Sequence, residues 1–206
     1  MTATGRAALA LDALFTITDP AERAAAQQTV DALIEQAPPG LVDQAAAAGR
    51  EVRNRMVEAG ARLSEAADVP DWLRLQALEA LVGFVAGTAR TCRHNPSPRH
   101  PRPLAAAAWR PGLVICGGDC RYLLALSGDD DRRCDLCGHV GDVVYSTSVA
   151  VGSLVYTAGL CESCKPSGHH PETRAGRPPP RDPGRPARMS VAGRPANQPT
   201  EQEGMT

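Results

Sequence analysis

Apolar residues recur at helical spacing in the N-terminal part of the chain. From Leu11 onward they fall at i, i+3 and i+4, which indicates one face of an amphipathic helix. A second helix is predicted to begin at Asp19 and Pro20, because aspartate can cap a helix and proline suits its first turn. Glu22 occupies the capping-box position, and the helix should end before Pro38. Two helices are therefore expected in this first stretch.

Two further helices are predicted between residues 41 and 89. The third spans Leu41 to Ala66, and the fourth runs from Pro70 to Ala89. Their apolar stripes are Ala45, Ala48, Val52, Met56, Ala59 and Leu63 in the third and Leu75, Leu78, Val82 and Val85 in the fourth. Four antiparallel helices are the simplest way to bury these stripes together. Because many inward positions are alanine, we expect close contacts between helices and a thin core.

Short apolar runs replace the helical pattern after residue 90 and indicate strands. Four runs are predicted as strands: Leu113–Ile115, Tyr122–Leu126, Val143–Val149 and Leu154–Thr157. The stretch from Val143 to Leu160 carries no charge, but its serine, threonine and glycine residues are poor membrane-core residues. We therefore interpret this stretch as a β-hairpin that turns at Gly152, and we expect no membrane association.

The chain thus predicts an α+β protein with three parts. Residues 1–90 form a helical bundle, residues 91–165 form a small cysteine-rich β domain, and residues 166–206 form a tail rich in proline, glycine and arginine. The tail contains only three large apolar residues, so it cannot bury enough surface to offset its chain entropy. We expect the tail to be disordered.

Composition and charge argue against some classes of function for this chain. The chain of 206 residues has a net charge of −1 and only 3% aromatic residues, which argues against a strong nucleic-acid binder. Residues 1–20 lack the cleavage signature of a secretory signal peptide. We therefore expect a cytoplasmic protein whose seven cysteines are reduced and available to metal rather than joined in disulfides.

Two cysteine pairs carry the strongest chemical signal. Cys134 and Cys137 are separated by two residues, and so are Cys161 and Cys164. At this spacing both thiolates of a pair can reach one ion about 2.3 Å away. Gly138 follows the first pair and permits the left-handed turn in which backbone N–H groups face the sulfurs. The spacing predicts one site of four cysteines, with a hairpin between the two pairs.

A third pair, Cys116 and Cys120, is spaced more widely and leaves alternatives open. It can form a second site with Cys92 and either His94 or His100. It can instead replace one of the other pairs in the first site, and Cys92 can equally be a buried thiol without metal. One metal site is therefore expected, and two are possible.

Zinc is the expected ion, because thiolates prefer it to calcium or magnesium. Iron is the alternative, since paired cysteines also suit a rubredoxin-type site. Four thiolates saturate a tetrahedral ion, which favours a structural role, and the sequence contains no metalloprotease, deaminase, hydrolase or phosphate-loop motif. Arg132, Arg133 and Lys165 flank the pairs and are expected to offset the excess thiolate charge.

The segment from Cys134 to Gly138 resembles the knuckle of zinc ribbons. A knuckle, a hairpin and a second pair form the layout of a zinc ribbon or a treble clef. Pro166 lies two residues past Cys164 and would break the helix that carries the second pair in a treble clef, so we favour a zinc-ribbon-like domain.

The cysteine-rich part is also similar to a group of uncharacterised actinobacterial proteins. The similar residues are His94–Pro101, Ala106–Leu113 and the cysteine pairs. This resemblance implies a zinc-binding fold. Trp109, within the second of these segments, is interpreted as a packing anchor.

The tail repeats Gly-Arg-Pro three times and places its arginines at Arg177, Arg185 and Arg194. The triplet resembles the core of the AT-hook, which lays arginine into the minor groove of A·T-rich DNA. No basic residue precedes these glycines, and residues 165–206 carry a net charge of only +3, so any binding should be weak and salt-sensitive. Repetition by composition alone is the plainer interpretation.

Three functional hypotheses follow. The favoured one is a non-catalytic zinc-binding protein that acts as a protein-interaction or regulatory module, in which the acidic helical part binds a protein partner. The second is a nucleic-acid-binding zinc ribbon that uses the Gly-Arg-Pro tail. The third is a metalloenzyme with an open Cys/His site at His94 or His100.

Overall fold

The helical part of the chain forms where the sequence predicts it. The computed structural model describes residues 2–61, 69–117 and 120–165. Within them lie the helices α1 (Ala3–Phe15), α2 (Pro20–Glu35), α3 (Leu41–Glu58) and α4 (Asp71–Val85). Asp19 caps α2 as predicted, because its carboxylate accepts hydrogen bonds of 2.9 Å from the N–H groups of Ala21 and Glu22. The predicted disordered tail, residues 166–206, lies outside the described residues.

Glycine ends α3 and α4 earlier than the apolar stripes suggest. Gly60 adopts a φ of 87°, and the N–H groups of Gly60 and Ala61 donate to carbonyls in the last turn of α3. This ending is a Schellman motif, which requires a left-handed residue, and Gly87 ends α4 in the same way. α3 therefore ends at Glu58 and α4 at Val85, short of the approximate ends predicted near Ala66 and Ala89, and Ala66 itself lies outside the described residues.

The β part is one mixed sheet of five strands. The strands are β1 (Arg90–Thr91), β2 (Leu104–Ala107), β3 (Leu113–Cys116), β4 (Tyr145–Val151) and β5 (Leu154–Leu160). Their order in space is β1-β3-β2-β5-β4. β1 is parallel to β3 and β2 is parallel to β5, whereas the other neighbours are antiparallel. The helices and this sheet together confirm the α+β class.

The uncharged stretch after residue 143 is the predicted β-hairpin. β4 and β5 pair in register from Tyr145 opposite Leu160 to Val151 opposite Leu154, and Gly152 lies in the turn. Among the described residues, no helix combines the length and the apolar character needed to cross a membrane.

The predicted strand Tyr122–Leu126 is wrong. Arg121–Leu124 forms a 3-10 helix in which Leu124 is buried and Tyr122 is exposed. A short apolar run does not by itself distinguish a strand from a helical turn. The sequence also did not reveal β1 and β2, because β1 has two residues and β2 is mostly alanine, which is uncommon in strands.

Helix α4 and the sheet share the main hydrophobic core. Leu73, Ala77 and Phe84 of α4 pack with residues of β2, β3 and β5, namely Leu104, Ala106, Val114, Leu154, Tyr156 and Ala158. The Tyr156 hydroxyl donates to Gln76 Oε1 of α4 at 3.0 Å. The core therefore spans residue 90, where the sequence places a domain boundary, and the division into separate units stays a prediction.

The other helices attach to this core unequally. α1 packs on α4 and is joined to it by an ion pair between Asp12 and Arg74, which is only 6% exposed. α3 contacts β4 and β5 and buries Ala48, Gly49 and Val52. α2 buries none of its residues. The four helices thus do not surround one common core as four antiparallel rods would.

One residue of the predicted α4 stripe points away from the core. Leu78 is 1% exposed, as an inward position should be, but Val85 is 62% exposed. α4 is apolar on nearly all sides, so periodicity alone does not define the face that meets the sheet. The prediction of Val85 as a core residue is wrong for this reason.

The shared core makes a testable prediction. Leu154→Ala should lower the free energy of unfolding by about 2–5 kcal/mol, because Leu154 is fully buried between α4 and the sheet. The measurement is denaturant unfolding in a Trp72→Phe background, because Trp72 lies in α4 and Trp109 then reports the β part alone. The transitions seen by helical circular dichroism and by Trp109 fluorescence should coincide and shift together. Val85→Ala serves as the exposed control and should have little effect. A helical signal that outlasts the fluorescence transition would contradict the shared core and favour a separate helical domain.

Candidate metal centres

The fold gathers every cysteine of the chain into two groups. Centre A consists of Cys134, Cys137, Cys161 and Cys164, and centre B consists of Cys92, His94, Cys116 and Cys120. Within each centre the four candidate ligand atoms lie within 4.8 Å of one another. The odd number of cysteines is accounted for, because His94 supplies the eighth ligand.

The sheet topology places the two centres at opposite ends of the sheet. Leu104 pairs with both Leu154 at the start of β5 and Cys116 at the end of β3. Cys116 therefore lies at the starting end of β5, whereas Cys161 follows the other end. Seven residues of extended chain span roughly 20 Å. The two centres cannot share a pair of bridged ions, which lie about 3.5–4 Å apart in two-metal sites.

Centre A begins with a tight knuckle. The N–H of Gly138 donates to the carbonyl of Cys134 at 2.9 Å, and the N–H of Cys134 donates to the carbonyl of His139 at 2.8 Å. Gly138 has a φ of 75°, the left-handed conformation that the sequence predicts at this position. The knuckle thus turns Cys134 and Cys137 towards the same point.

The second pair of centre A lies on a single turn directly after β5. The N–H groups of Cys164 and Lys165 donate to the carbonyl of Cys161 at 3.0 and 3.1 Å. The order of knuckle, hairpin and second pair is the predicted one. The choice between a ribbon and a treble clef stays a prediction, because the chain after residue 165 is not described.

Asp135 fastens the knuckle to the sheet next to the second pair. Its N–H donates to the carbonyl of Gly159 at 2.8 Å, and its carboxylate accepts the N–H of the same glycine. Gly159 lies in β5, two residues before Cys161. These two hydrogen bonds fix the distance between the two cysteine pairs, and neither of them involves a candidate metal ligand.

Two parallel strands position the first sulfurs of centre B. Thr91 of β1 pairs with Val114 of β3, so Cys92 and Cys116 emerge side by side at the same end of the sheet. Their sulfurs are 3.4 Å apart, and the N–H of Cys116 lies 3.4 Å from the Cys92 sulfur. The parallel pairing of β1 therefore makes Cys92 part of the site rather than an isolated buried thiol.

A turn after Cys92 brings His94 into centre B. Asn95 adopts a left-handed φ of 44°, and its N–H donates to the carbonyl of Cys92 at 2.8 Å. His94 Nδ1 lies 3.2 Å from the sulfur of Cys116 and 3.1 Å from that of Cys120. Among the described residues the group thus contains His94 and not His100, and the pair Cys116 and Cys120 groups with Cys92 rather than with a pair of centre A. Which of these residues bind a metal stays a prediction.

The 3-10 helix after Cys120 completes centre B. Cys120 is fully buried, and its carbonyl accepts the N–H of Leu123 at 3.0 Å. Trp109 Nε1 donates to the carbonyl of Leu124 at 2.8 Å and packs on the cluster that surrounds the cysteines. Trp109 is the packing anchor that the sequence predicts. It holds the segment that carries Cys120 against the sheet.

The distances between ligand atoms suit tetrahedral coordination. Metal–sulfur bonds of 2.3 Å at tetrahedral angles imply sulfur–sulfur distances of about 3.8 Å. The separations are 3.7 Å between Cys137 and Cys161 and 3.8 Å between Cys116 and Cys120. The separation of 3.4 Å between Cys92 and Cys116 is shorter. The donor sets, four sulfurs at centre A and three sulfurs with one nitrogen at centre B, are those of closed zinc sites. The residues present therefore fit a zinc ion at each centre.

Each centre contains one thiol whose pKa is lowered and others whose pKa is raised. Burial raises the pKa of Cys134, but N–H groups of Cys137, Cys161 and Leu136 outweigh it and lower that pKa to about 7. Burial raises the pKa of Cys92 too, and hydrogen bonds from Cys116 overcome it to give a pKa of about 7. Burial raises the pKa of Cys120 to about 12. A bound cation would lower these pKa values, because it stabilises every thiolate of the group.

The flanking cations lie beside carboxylates rather than beside the sulfurs, whose charge the sequence predicts them to offset. Arg132 forms an ion pair with Asp129 at 2.6 Å, and Lys165 forms one with Glu162 at 2.6 Å. Arg133 lies 3.8 Å from a carboxylate oxygen of Asp130 and 3.4 Å from the carbonyl oxygen of Gly138 in the knuckle. The low pKa of Cys134 thus has backbone N–H groups as its cause, which the sequence indicated only through Gly138.

No family model, curated protein or solved structure is significantly similar to the chain. The expected similarity to a group of actinobacterial proteins therefore stays an expectation. The arginines proposed to contact DNA, Arg177, Arg185 and Arg194, lie outside the described residues.

Removing one ligand from each centre tests their independence. Cys134→Ser should lose the metal of centre A and keep that of centre B, and Cys120→Ser should do the reverse, because the centres share no ligand. The measurement is metal content per chain by elemental analysis. His139→Ala is the control, since His139 is exposed beside the knuckle and belongs to neither group. Loss of both ions from either variant, or unchanged content in both, would contradict two independent centres.

Proposed function

We propose that this protein binds two structural zinc ions and acts as a non-catalytic interaction module. The observation that carries the proposal is the gathering of seven cysteines and His94 into two groups of four ligand atoms at opposite ends of one sheet. Zinc is favoured over iron because three sulfurs with one imidazole nitrogen form a common structural zinc site. Each proposed ion has four protein ligands, which leaves no open position of the kind that a catalytic zinc keeps.

The packing around the centres supports a structural role for the ions. At centre A the buried cluster consists of Cys134, Leu160 and Cys161, so two of its three members are candidate ligands. At centre B three of the six buried members are cysteines. Few other apolar side chains could hold these ends of the sheet together, and a metal that crosslinks four ligands contributes the missing folding energy.

Metal analysis tests the proposal directly. The purified full chain should contain two zinc ions and show no visible absorption, whereas iron at a four-cysteine site would be coloured. A strong chelator should unfold the sheet ends, because the ions rather than a large core hold them. Trp109 packs against centre B, whereas Trp72 packs both against centre A and against the main core, so the fluorescence of Trp109 reports one centre alone. A metal-free chain with native fluorescence and unchanged melting temperature would refute the proposal.

An apolar stripe on α2 that the described part of the chain leaves exposed supports the interaction role. Val30, Leu33 and Ile34 follow one another at i, i+3 and i+4, and they are 39%, 62% and 46% exposed. α2 carries three acidic residues and one arginine. The stripe therefore fits a protein partner that offers an apolar helix face with basic residues beside it. A second copy of the chain fits less well, because two acidic surfaces would repel each other.

A single substitution tests this surface. Leu33→Ser should weaken the binding of a labelled basic amphipathic peptide about 10-fold, because burying a leucine contributes about 1.5–3 kcal/mol. Fluorescence anisotropy measures the affinity, and Val57→Ser on α3 is the control because Val57 is also exposed. The melting temperature and metal content should stay unchanged, since α2 buries no residue. Equal binding by the wild type and Leu33→Ser would contradict the assignment of this surface.

A further inference from the structure

The two centres expose different ligand atoms to solvent. At centre A the exposed ligand is Cys137, and Cys164 is half-buried. At centre B the exposed ligand is His94, and the three cysteines are at most 8% exposed. A reagent that approaches from solvent therefore meets a sulfur at centre A and an imidazole at centre B.

Cys137 also has a second sulfur within reach. The sulfur of Cys161 lies 3.7 Å away, and the two residues belong to different elements, the knuckle and the turn after β5. Exposed thiolates are the ones that hydroperoxides oxidise, and a neighbouring thiolate resolves the product into a disulfide. Centre A has both parts of this reaction. The three cysteines of centre B are at most 8% exposed, and of these Cys116 alone lines the open pocket beside His94.

We propose that Cys137 is a site of oxidative modification by hydroperoxides, and that centre A releases its zinc through a disulfide between Cys137 and Cys161 while centre B keeps its ion. This inference rests on the proposed zinc binding. Under this proposal centre A loses its zinc on oxidation, whereas centre B at the other end of the same sheet keeps its zinc.

The chemistry balances with hydrogen peroxide as the oxidant. The Cys137 thiolate attacks one peroxide oxygen, the O–O bond breaks, and the products are the sulfenic acid of Cys137 and hydroxide. The Cys161 thiolate then attacks the sulfenic sulfur, so that an S–S bond forms, the S–O bond breaks and a second hydroxide leaves. Two thiolates lose two electrons and the peroxide gains them, and two protons from solvent convert the hydroxides to water. Zinc departs because only Cys134 and Cys164 remain as its ligands.

The test follows zinc release from the zinc-loaded full chain during treatment with hydrogen peroxide. A chromogenic chelator should record one zinc equivalent before the second. Peptide mapping at that stage should find the Cys137–Cys161 disulfide, with the three cysteines of centre B still free to react with an alkylating reagent. A disulfide within centre B, or simultaneous release of both ions, would overturn the proposal.

Exchanging the exposed ligands provides matched variants. Cys137→His removes the exposed sulfur from centre A and should protect its zinc from peroxide, whereas His94→Cys adds an exposed sulfur to centre B and should make that centre release zinc. The double variant should reverse the order of release. An unchanged order in variants that bind two zinc ions would contradict the role of exposure. If a variant does not bind two ions, mapping of the wild type decides alone.

The outcomes separate this inference from the function on which it rests. A purified chain without zinc would defeat the proposed zinc binding itself. A chain with two zinc ions that loses the ion of centre B first, or loses both together, would defeat only the assignment of Cys137.

Discussion

The crowding of mostly buried thiols into two small groups is the constraint on which the rest of this structure depends. Each centre places four ligand atoms within 4.8 Å. The pKa of about 7 at Cys134 and of about 12 at Cys120 illustrates how unevenly such groups ionise without a cation. A divalent ion would stabilise every thiolate of a group and turn the same proximity into a crosslink. The proposed ions would therefore stabilise the ends of the sheet, which lie outside the main apolar core.

The two centres lie at different ends of the sheet and join different segments of the chain. The main core, made by α4 and the sheet, lies between them and is rich in alanine. Centre A fastens the knuckle and the end of β5, with the reciprocal hydrogen bonds of Asp135 and Gly159 as a metal-independent guide. Centre B fastens β1, β3 and the 3-10 helix. The proposed crosslinks at both ends would add stability to the thin core between them.

The two centres have similar sets of candidate ligands, but they differ in which ligand residue is exposed to solvent. Centre A turns the sulfur of Cys137 to solvent, and centre B turns the imidazole of His94 there. The surface available for binding lies elsewhere, on α2, which contributes nothing to the core. The proposed oxidation belongs to centre A and the proposed partner surface to α2, which buries no residue, so substitutions on α2 should leave both centres intact.

The sequence by itself determined the local features: four helices, the cap at Asp19, the β4–β5 hairpin, the knuckle at Gly138 and the pairing of cysteines at a spacing of two. Each of these features depends on residues that are close together in the chain, so the sequence alone indicates it. Tertiary structure alone decided that His94 rather than His100 joins centre B, because β1 and β3 are parallel neighbours separated by more than twenty residues. It also decided which ligands face solvent and which face of α4 meets the sheet. Burial and strand pairing depend on contacts with residues that are distant in the sequence, so a local sequence pattern does not predict them.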